Sequence, residues 1–240
     1  MVALPFTDAN QPLVIAHRGV SGHAIENSMA AFRAAADPAH PGHANGIELD
    51  VHVTSDGEIV VYHDFELPNG KRLSHTPLSM VRATILADGS AIPTLADVIA
   101  AIPVVALFIE AKGLPPSADS RLLEVLHGGA IGRAHVHSFD HRVSFRLARA
   151  NAPVGLGVLS RSYPVAPVSA VLDAGATTLW QEARWVDQAL VDGCHAAGVA
   201  VVAWTVNDEA QADALAQLGV DGLCGNWPER LRRASKRRPA

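Results

Sequence analysis

Four short groups of ionisable residues stand in the first half of this 240-residue chain: His17-Arg18-Gly19, Glu48-Leu49-Asp50, His63-Asp64 and Glu110-Ala111-Lys112. Each ends or closely follows a run of apolar, mostly β-branched residues, which places it at the end of a strand, where a side chain is held rigidly at the rim of a sheet. Side chains alternate along a strand, so Glu48 and Asp50 project to the same side, and two adjacent inward carboxylates repel each other. A hard divalent cation, Mg²⁺ or Ca²⁺, resolves that repulsion, and Glu110 could supply a third carboxylate. His52 continues the alternation and shares their face. It reads either as a further ligand or as a packing or hydrogen-bonding histidine, since a hard cation does not need imidazole. His17 closes the first strand and His63 a following hairpin, giving two imidazoles that could approach one reacting centre from opposite sides. Such a pair is suited to take a proton from a nucleophile and return one to a leaving group. Arg18 and Lys112 add the positive charge that a substrate with anionic oxygens requires, or form plain ion pairs with the carboxylates.

The elements that must carry these residues follow a βαβ rhythm from end to end. Strands are expected at Leu13–His17, Gly46–Val53, Val104–Ile109, Ala134–Ser138, Val154–Leu159, Thr177–Trp180, Val199–Thr205 and Gly222–Cys224. Helices are expected near Ser28–Ala36, Leu95–Ala101, Ser117–Leu126, His141–Ala150, Pro167–Ala174, Asp187–Ala197, Glu209–Leu218 and Pro228–Ala234. The count closes as an α/β fold of the (β/α)₈ TIM-barrel type, one domain over 1–240. A doubly wound open sheet is the alternative, and no Gly-rich dinucleotide turn supports it. An extra apolar run, Glu58–Tyr62, after the turn Ser55-Asp56-Gly57 reads as a hairpin added to the second strand. Residues 65–92, with Pro68, Asn69-Gly70, Pro77 and Asp88-Gly89, then form a short loop-rich insertion expected to cover part of the barrel mouth.

Bulk properties narrow the function class. A hydrophobic content of 49% and a mean hydropathy of +0.17 suit a folded core, yet no apolar run approaches the roughly 20 residues that cross a bilayer. The N-terminus, Met1 to Pro12, lacks both the basic start and the apolar stretch of a secretory signal, which makes the cytoplasm the default location. A formal charge of −5 argues against a nucleic-acid partner. Cys194 and Cys224 lie on apolar segments without CxxC spacing and read as buried free thiols. Arg230, Arg232, Arg233, Lys236, Arg237 and Arg238 form one basic cluster at the C-terminus, read as a frayed tail over 232–240 or a weak attraction for anionic lipid. No internal repeat is evident, and oligomeric state is left open.

The motifs, taken together, resemble the glycerophosphodiester phosphodiesterases. The likeness lies in Ala16-His17-Arg18-Gly19, Glu26-Asn27-Ser28, Glu48-Leu49-Asp50-Val51, Thr54-Ser55-Asp56-Gly57, His63-Asp64, Ile92-Pro93-Thr94-Leu95, Glu110-Ala111-Lys112, Ser138-Phe139-Asp140, Trp204-Thr205-Val206-Asn207 and Val220-Asp221-Gly222, in the family's order over nearly the whole chain. The resemblance implies His17 and His63 as the general acid/base pair and Glu48, Asp50 and Glu110 as ligands of a divalent cation. It implies Arg18 and Lys112 as phosphate contacts and Glu26 as the partner that orients the Arg18 and His17 region. Trp204, at the mouth of the seventh barrel strand, would pack against the glycerol portion or else into the core, with Phe139 a weaker candidate for the same wall. Together with residues 65–92 it would set the alcohol preference. Three departures stand out: a short segment after His63-Asp64, Asn226 where the late motif usually has aspartate, and Ile25 in place of the usual proline. The implied reaction is metal-dependent hydrolysis of a glycerophosphodiester to sn-glycerol 3-phosphate and an alcohol such as choline or ethanolamine, with water or the substrate's own glycerol hydroxyl as nucleophile. The rival readings are a lysophospholipase D or sphingomyelinase D-like enzyme acting on lipid diesters, and a binding protein that has lost turnover.

Overall fold

A computed structural model describes residues 11–235, whose strands are β1 (Leu13–Ala16), β2 (Gly46–Val53), β3 (Ile59–Val61), β4 (Ala106–Gly113), β5 (Ala134–Ser138), β6 (Gly155–Ser160), β7 (Thr178–Glu182), β8 (Ala200–Trp204) and β9 (Gly222–Gly225). All but β3 run parallel, in the order β1-β9-β8-β7-β6-β5-β4-β2, and β1 pairs with β2 through Ile15↔Gly46 to close the ring. The result is the expected eight-stranded TIM barrel. The helices are α1 (Met29–Ala36), α2 (Leu78–Arg82), α3 (Leu95–Ala101), α4 (Asp119–His127), α5 (His141–Arg149), α6 (Pro167–Asp173), α7 (Gln188–Ala196), α8 (Glu209–Leu218) and α9 (Pro228–Ser235). Short polar residues start several of them: the Ser28 side chain accepts from Ala31 N, and Thr94 forms a reciprocal capping box with Asp97.

Most strands shift from their expected spans by a residue or two at the ends, and one departs further. Val104 is 82% exposed and lies outside the sheet, while β4 runs on through Ala111 and Lys112 because its register on β2 pairs Asp50 with Glu110 and Val51 with Ala111. Glu110 therefore stands inside a strand, fixed by ladder hydrogen bonds, rather than at a strand's end. The extra run forms β3, antiparallel to β2 with Val51 opposite Val61, as the turn chemistry suggested.

Alternation divides each strand between two cores. Outward residues such as Ile47, Leu49, Val136, Val158, Leu179 and Val201 pack under the helices, and inward residues such as Ile15, Phe108, Leu159, Trp180, Val202 and Cys224 fill the barrel. Space inside is limited, and glycine makes room for the large rings: a Cβ on Gly155 would overlap the His135 imidazole, and one on Gly157 would lie 2.9 Å from Trp180. His135 stacks on Phe108 and His137 on Trp180, with centroids 5.0 and 4.0 Å apart. This packed floor holds the barrel's upper layer in place.

The insertion has a small core of its own, in which Leu67, Leu73, Val81 and Ile92 pack on Val60 of β3. Its residues Pro68, Ile85 and Leu86 share a cavity with Glu26, Tyr62 and His63, so it lies against one side of the barrel mouth. Cys194 and Cys224 are buried free thiols, as expected. Of the basic stretch 232–240, Arg232 and Arg233 lie on α9, where the Arg232 guanidinium donates to the Pro41 carbonyl; residues 236–240, with Lys236, Arg237 and Arg238, lie outside the described residues, as do 1–10 of the N-terminal segment. No described helix is long and apolar enough to cross a membrane.

Because the Gly155 and His135 positions are filled as a pair, Gly155→Ala should lower the melting temperature by several degrees, the scale of overpacking by roughly 1–3 kcal/mol. Adding His135→Ala should recover part of that loss in calorimetry, since the second change removes the atoms the first one strikes.

Candidate active site

Every ionisable residue singled out at a strand end reaches the C-terminal mouth of the barrel. A cavity of about 160 Å³ is lined by His17, Arg18, Glu48, His63, Glu110, Lys112, Phe139 and Trp204, with His137, Leu159, Trp180 and Cys224 at its floor and Arg161 and Thr205 at its edge. Asp50 lies fully buried beneath it. Glu48, Asp50 and Glu110 each offer a carboxylate oxygen within 4.8 Å of the others. The in-register pairing of β2 with β4 brings them together.

Two cations are threaded through these acids. Arg18 places Nε 3.0 Å from Asp50 Oδ2 and donates from Nη1 to Glu26 at 2.8 Å. Lys112 Nζ lies 3.0 Å from Glu110 and 3.3 Å from Asp50 Oδ1. The four carboxylates Glu26, Glu48, Asp50 and Glu110 thus face two cations, leaving two negative charges unmatched. The titration behaviour reflects that imbalance. Burial, then the charges of Asp50 and Glu110, push Glu48 well above the ordinary carboxyl range, and burial with the Asp50 charge lifts Glu110 to about 7. For Asp50 burial acts upward too, but Lys112 and Arg18 outweigh it and hold it below its usual value. Asp50 Oδ1 remains buried without a hydrogen bond despite the nearby ammonium. A trio of hard oxygens, one already ionised and two raised by crowding, is a donor set that fits a divalent cation.

The loop after β1 is shaped around this cluster. Arg18 and Asn27 both adopt left-handed backbone, with φ of 57° and 56°, a conformation costly for most residues and found where the surroundings dictate it. The turn aims the Arg18 amide at Glu48 Oε2, 3.0 Å away, and lets the Asn27 side chain donate to Asp50 Oδ2 at 2.8 Å. Gly19 follows at φ 78°, where a Cβ would also lie 2.7 Å from the Ala31 backbone.

The two histidines are oriented by different partners. His17 Nδ1 donates to Asn226 Oδ1 at 2.7 Å, which leaves Nε2 facing the cavity 3.9 Å from Glu48. Burial, then Arg18, lowers its pKa to about 4, so its ring is neutral near pH 7. His63 Nδ1 donates to Asp64 at 2.8 Å. His52, one of the two readings left open, is a hydrogen-bonding residue: its Nε2 donates to the His63 carbonyl at 3.2 Å, and its ring meets Phe65 edge-on. Phe139 and Trp204 form one wall, edge to face with centroids 5.5 Å apart, and the Trp204 indole N–H is buried without a partner.

Sequence reading passed over His137, Trp180, Arg161 and the supporting roles of Asn27 and Asn226. His135 and His137 alternate with Val136 as Glu48, Asp50 and His52 do on β2, so the same period-2 argument finds them. Arg161 and Asn226 stand on loops, where no periodicity marks them.

Comparison with known proteins agrees with this geometry. The profile of the glycerophosphoryl diester phosphodiesterase family matches residues 17–230. A glycerophosphodiester phosphodiesterase of Caldanaerobacter subterraneus subsp. tengcongensis is 32% identical over 91% of this chain and 96% of its own length, and one of Bacillus altitudinis is 29% identical over 90% and 95%. Among solved structures, a phosphodiesterase of Oleispira antarctica, in complex with the product sn-glycerol-3-phosphate, superposes with a TM-score of 0.83 at 27% identity, covering 93% of this chain and 96% of its own. A glycerophosphodiester phosphodiesterase of Parabacteroides distasonis shares the fold, with a TM-score of 0.84 at 22% identity over 95% and 98%. The profile spans the chain from His17 to Arg230 and so includes every residue that lines the cavity, and the chain belongs to the glycerophosphoryl diester phosphodiesterase family.

Proposed function

We propose that this phosphodiesterase cleaves glycerophosphodiesters to sn-glycerol 3-phosphate and an alcohol, using a divalent cation on Glu48, Asp50 and Glu110 and the pair His17 and His63 as base and acid. One observation carries the reading: three buried carboxylates within 4.8 Å of one another, beside two imidazoles whose Nδ1 atoms are both held by oxygen acceptors. The related Oleispira antarctica enzyme, which binds that product, supports the choice of substrate.

When bound, the cation supplies Lewis-acid charge to the phosphate oxygens. Arg18 and Lys112 add to it, each already fixed by ion pairs and therefore ordered before substrate arrives. His17, neutral near pH 7 with its Nδ1 hydrogen on Asn226, has a free Nε2 lone pair to take the proton of the attacking water, or of the substrate's own glycerol hydroxyl with water then opening the cyclic phosphate. His63, anchored by Asp64 and by His52 through its carbonyl, delivers a proton to the departing alkoxide. Glu26 holds the Arg18 fork, and Trp204, with Phe139, packs on the glycerol arm and offers it the unpartnered indole N–H.

Excess chelator should abolish turnover, with Mg²⁺ or Ca²⁺ restoring it in an activity assay. The metal-free protein should also record the crowding of its acids. Glu110, with a folded-state pKa of about 7 against an ordinary 4.5, opposes folding in its ionised form, and that cost grows as pH rises from about 4.5 through 7. Glu110→Gln should then raise the melting temperature of the metal-free protein at pH 8 by several degrees and weaken the further rise on adding the cation, whereas a lowered melting temperature would count against the crowding.

His17→Ala and His63→Ala should each reduce kcat by roughly 10² or more with the fold retained in circular dichroism. Near-normal turnover in either would make that histidine structural. Asn226→Asp separates the two roles, because an anion at the Nδ1 partner favours the imidazolium of His17. The acidic limb of kcat/KM against pH should move upward in that variant, and an unmoved limb would remove His17 as the base.

A further inference from the structure

Arg161, the first residue beyond β6, sits over both aromatics of the cavity wall: its Cζ lies 5.0 Å from the Phe139 ring centre and 5.8 Å from that of Trp204. Among the described residues it makes no hydrogen bond and no ion pair. The other cations around it are already engaged by acids, and the nearby aspartates by their own partners. Arg18 and Lys112 are shared among Glu26, Asp50 and Glu110, Asp64 accepts from His63, and Asp140 is gripped by Arg142 at 2.7 and 2.8 Å.

Its position also links two spaces. The inner cavity of about 160 Å³, floored by His137, Trp180 and Cys224, has room for the phosphate and a three-carbon glycerol. A wider groove of about 380 Å³ leads outward past Phe65 and Asp140, and His63, Glu110, Lys112, Phe139 and Arg161 line both. A diester whose phosphate sits between the histidines, with its glycerol in the inner cavity, sends its other arm into this groove and past Arg161.

We infer that Arg161 is the specificity-determining contact for the leaving alcohol, selecting glycerophosphodiesters whose alcohol bears a second anionic group, a phosphate or a carboxylate, over those bearing a quaternary ammonium. The inference rests on the phosphodiesterase reading of the same cavity. Aromatic faces attract quaternary ammonium groups, but here a guanidinium already covers Phe139 and Trp204 and repels a second cation. With no hydrogen-bonded partner among the described residues, its N–H donors are available to a planar or tetrahedral anion, and its place over the two rings orders the long side chain beforehand, which reduces the entropy lost on binding.

The test is a comparison of kcat/KM for three diesters with a common glycerol arm: glycerophosphoglycerol phosphate (anionic), glycerophosphoglycerol (neutral) and glycerophosphocholine (cationic). The native protein should prefer them in that order. Arg161→Gln should reduce the anionic-to-choline ratio roughly tenfold or more, mainly through KM, the scale of losing a hydrogen bond to a charged group, while Arg161→Lys should retain part of the preference. An unchanged ratio in Arg161→Gln, or a native preference for the choline diester, would overturn the inference while leaving the phosphodiesterase reading intact. Failure to cleave any of the three would instead overturn that reading. Arg161 is then read from calorimetric binding in the metal-loaded His63→Ala protein, where tighter binding of the anionic diester, weakened by Arg161→Gln, supports the inference and equal binding of anionic and choline diesters refutes it.

Discussion

Three carboxylates buried within 4.8 Å of one another are the constraint around which the rest of this barrel is arranged. Ionised acids in so dry a place repel, and the protein meets that repulsion partly with its own cations, Arg18 and Lys112, and partly by leaving Glu48 and Glu110 with raised pKa values. A fully neutralised cluster would be more stable and would have no use for an external ion. The acidity that remains is the feature that suits the cluster to a divalent cation, and it sits where stability and function pull in opposite directions.

The scaffold absorbs this tension with rigid pairing. Asp50 opposite Glu110 in a parallel ladder, deep inside β2 and β4, prevents the acids from swinging apart, and the left-handed turn at Arg18 and Asn27 sets both a backbone amide and a side-chain amide against the same oxygens. Below, the stacked pairs Phe108–His135 and His137–Trp180 fill the barrel. Above, the insertion brings a separate small core to the rim beside His63, so that His17 and His63 are carried by two elements of independent packing. Geometry around the three carboxylates is thereby fixed.

Much of this was readable in the sequence because inward and outward residues alternate strictly. Glu48, Asp50 and His52 announced one face of β2, and the eight βα units announced closure. Where periodicity gives no signal, the reading thinned. The reach of β4 to Gly113 depends on a partner strand, since Glu110-Ala111-Lys112 is polar enough to look like a strand's end until its pairing with Asp50 and Val51 is seen. Asn226 was visible only as a departure from an expected aspartate, and its bond to His17 bridges 209 positions. Arg161 lies in a loop of ordinary composition, and only folding brings it over Phe139 and Trp204.

The central claim is that the unmatched charge of Glu48, Asp50 and Glu110 is the seat of one divalent cation, and calorimetric titration of chelator-stripped protein with Mg²⁺ and Ca²⁺ tests it most directly. One ion per chain should bind, with protons released from the raised carboxyls, and binding should disappear when all three residues are replaced by their amides. Absence of binding, or a site that survives the triple replacement, would contradict it.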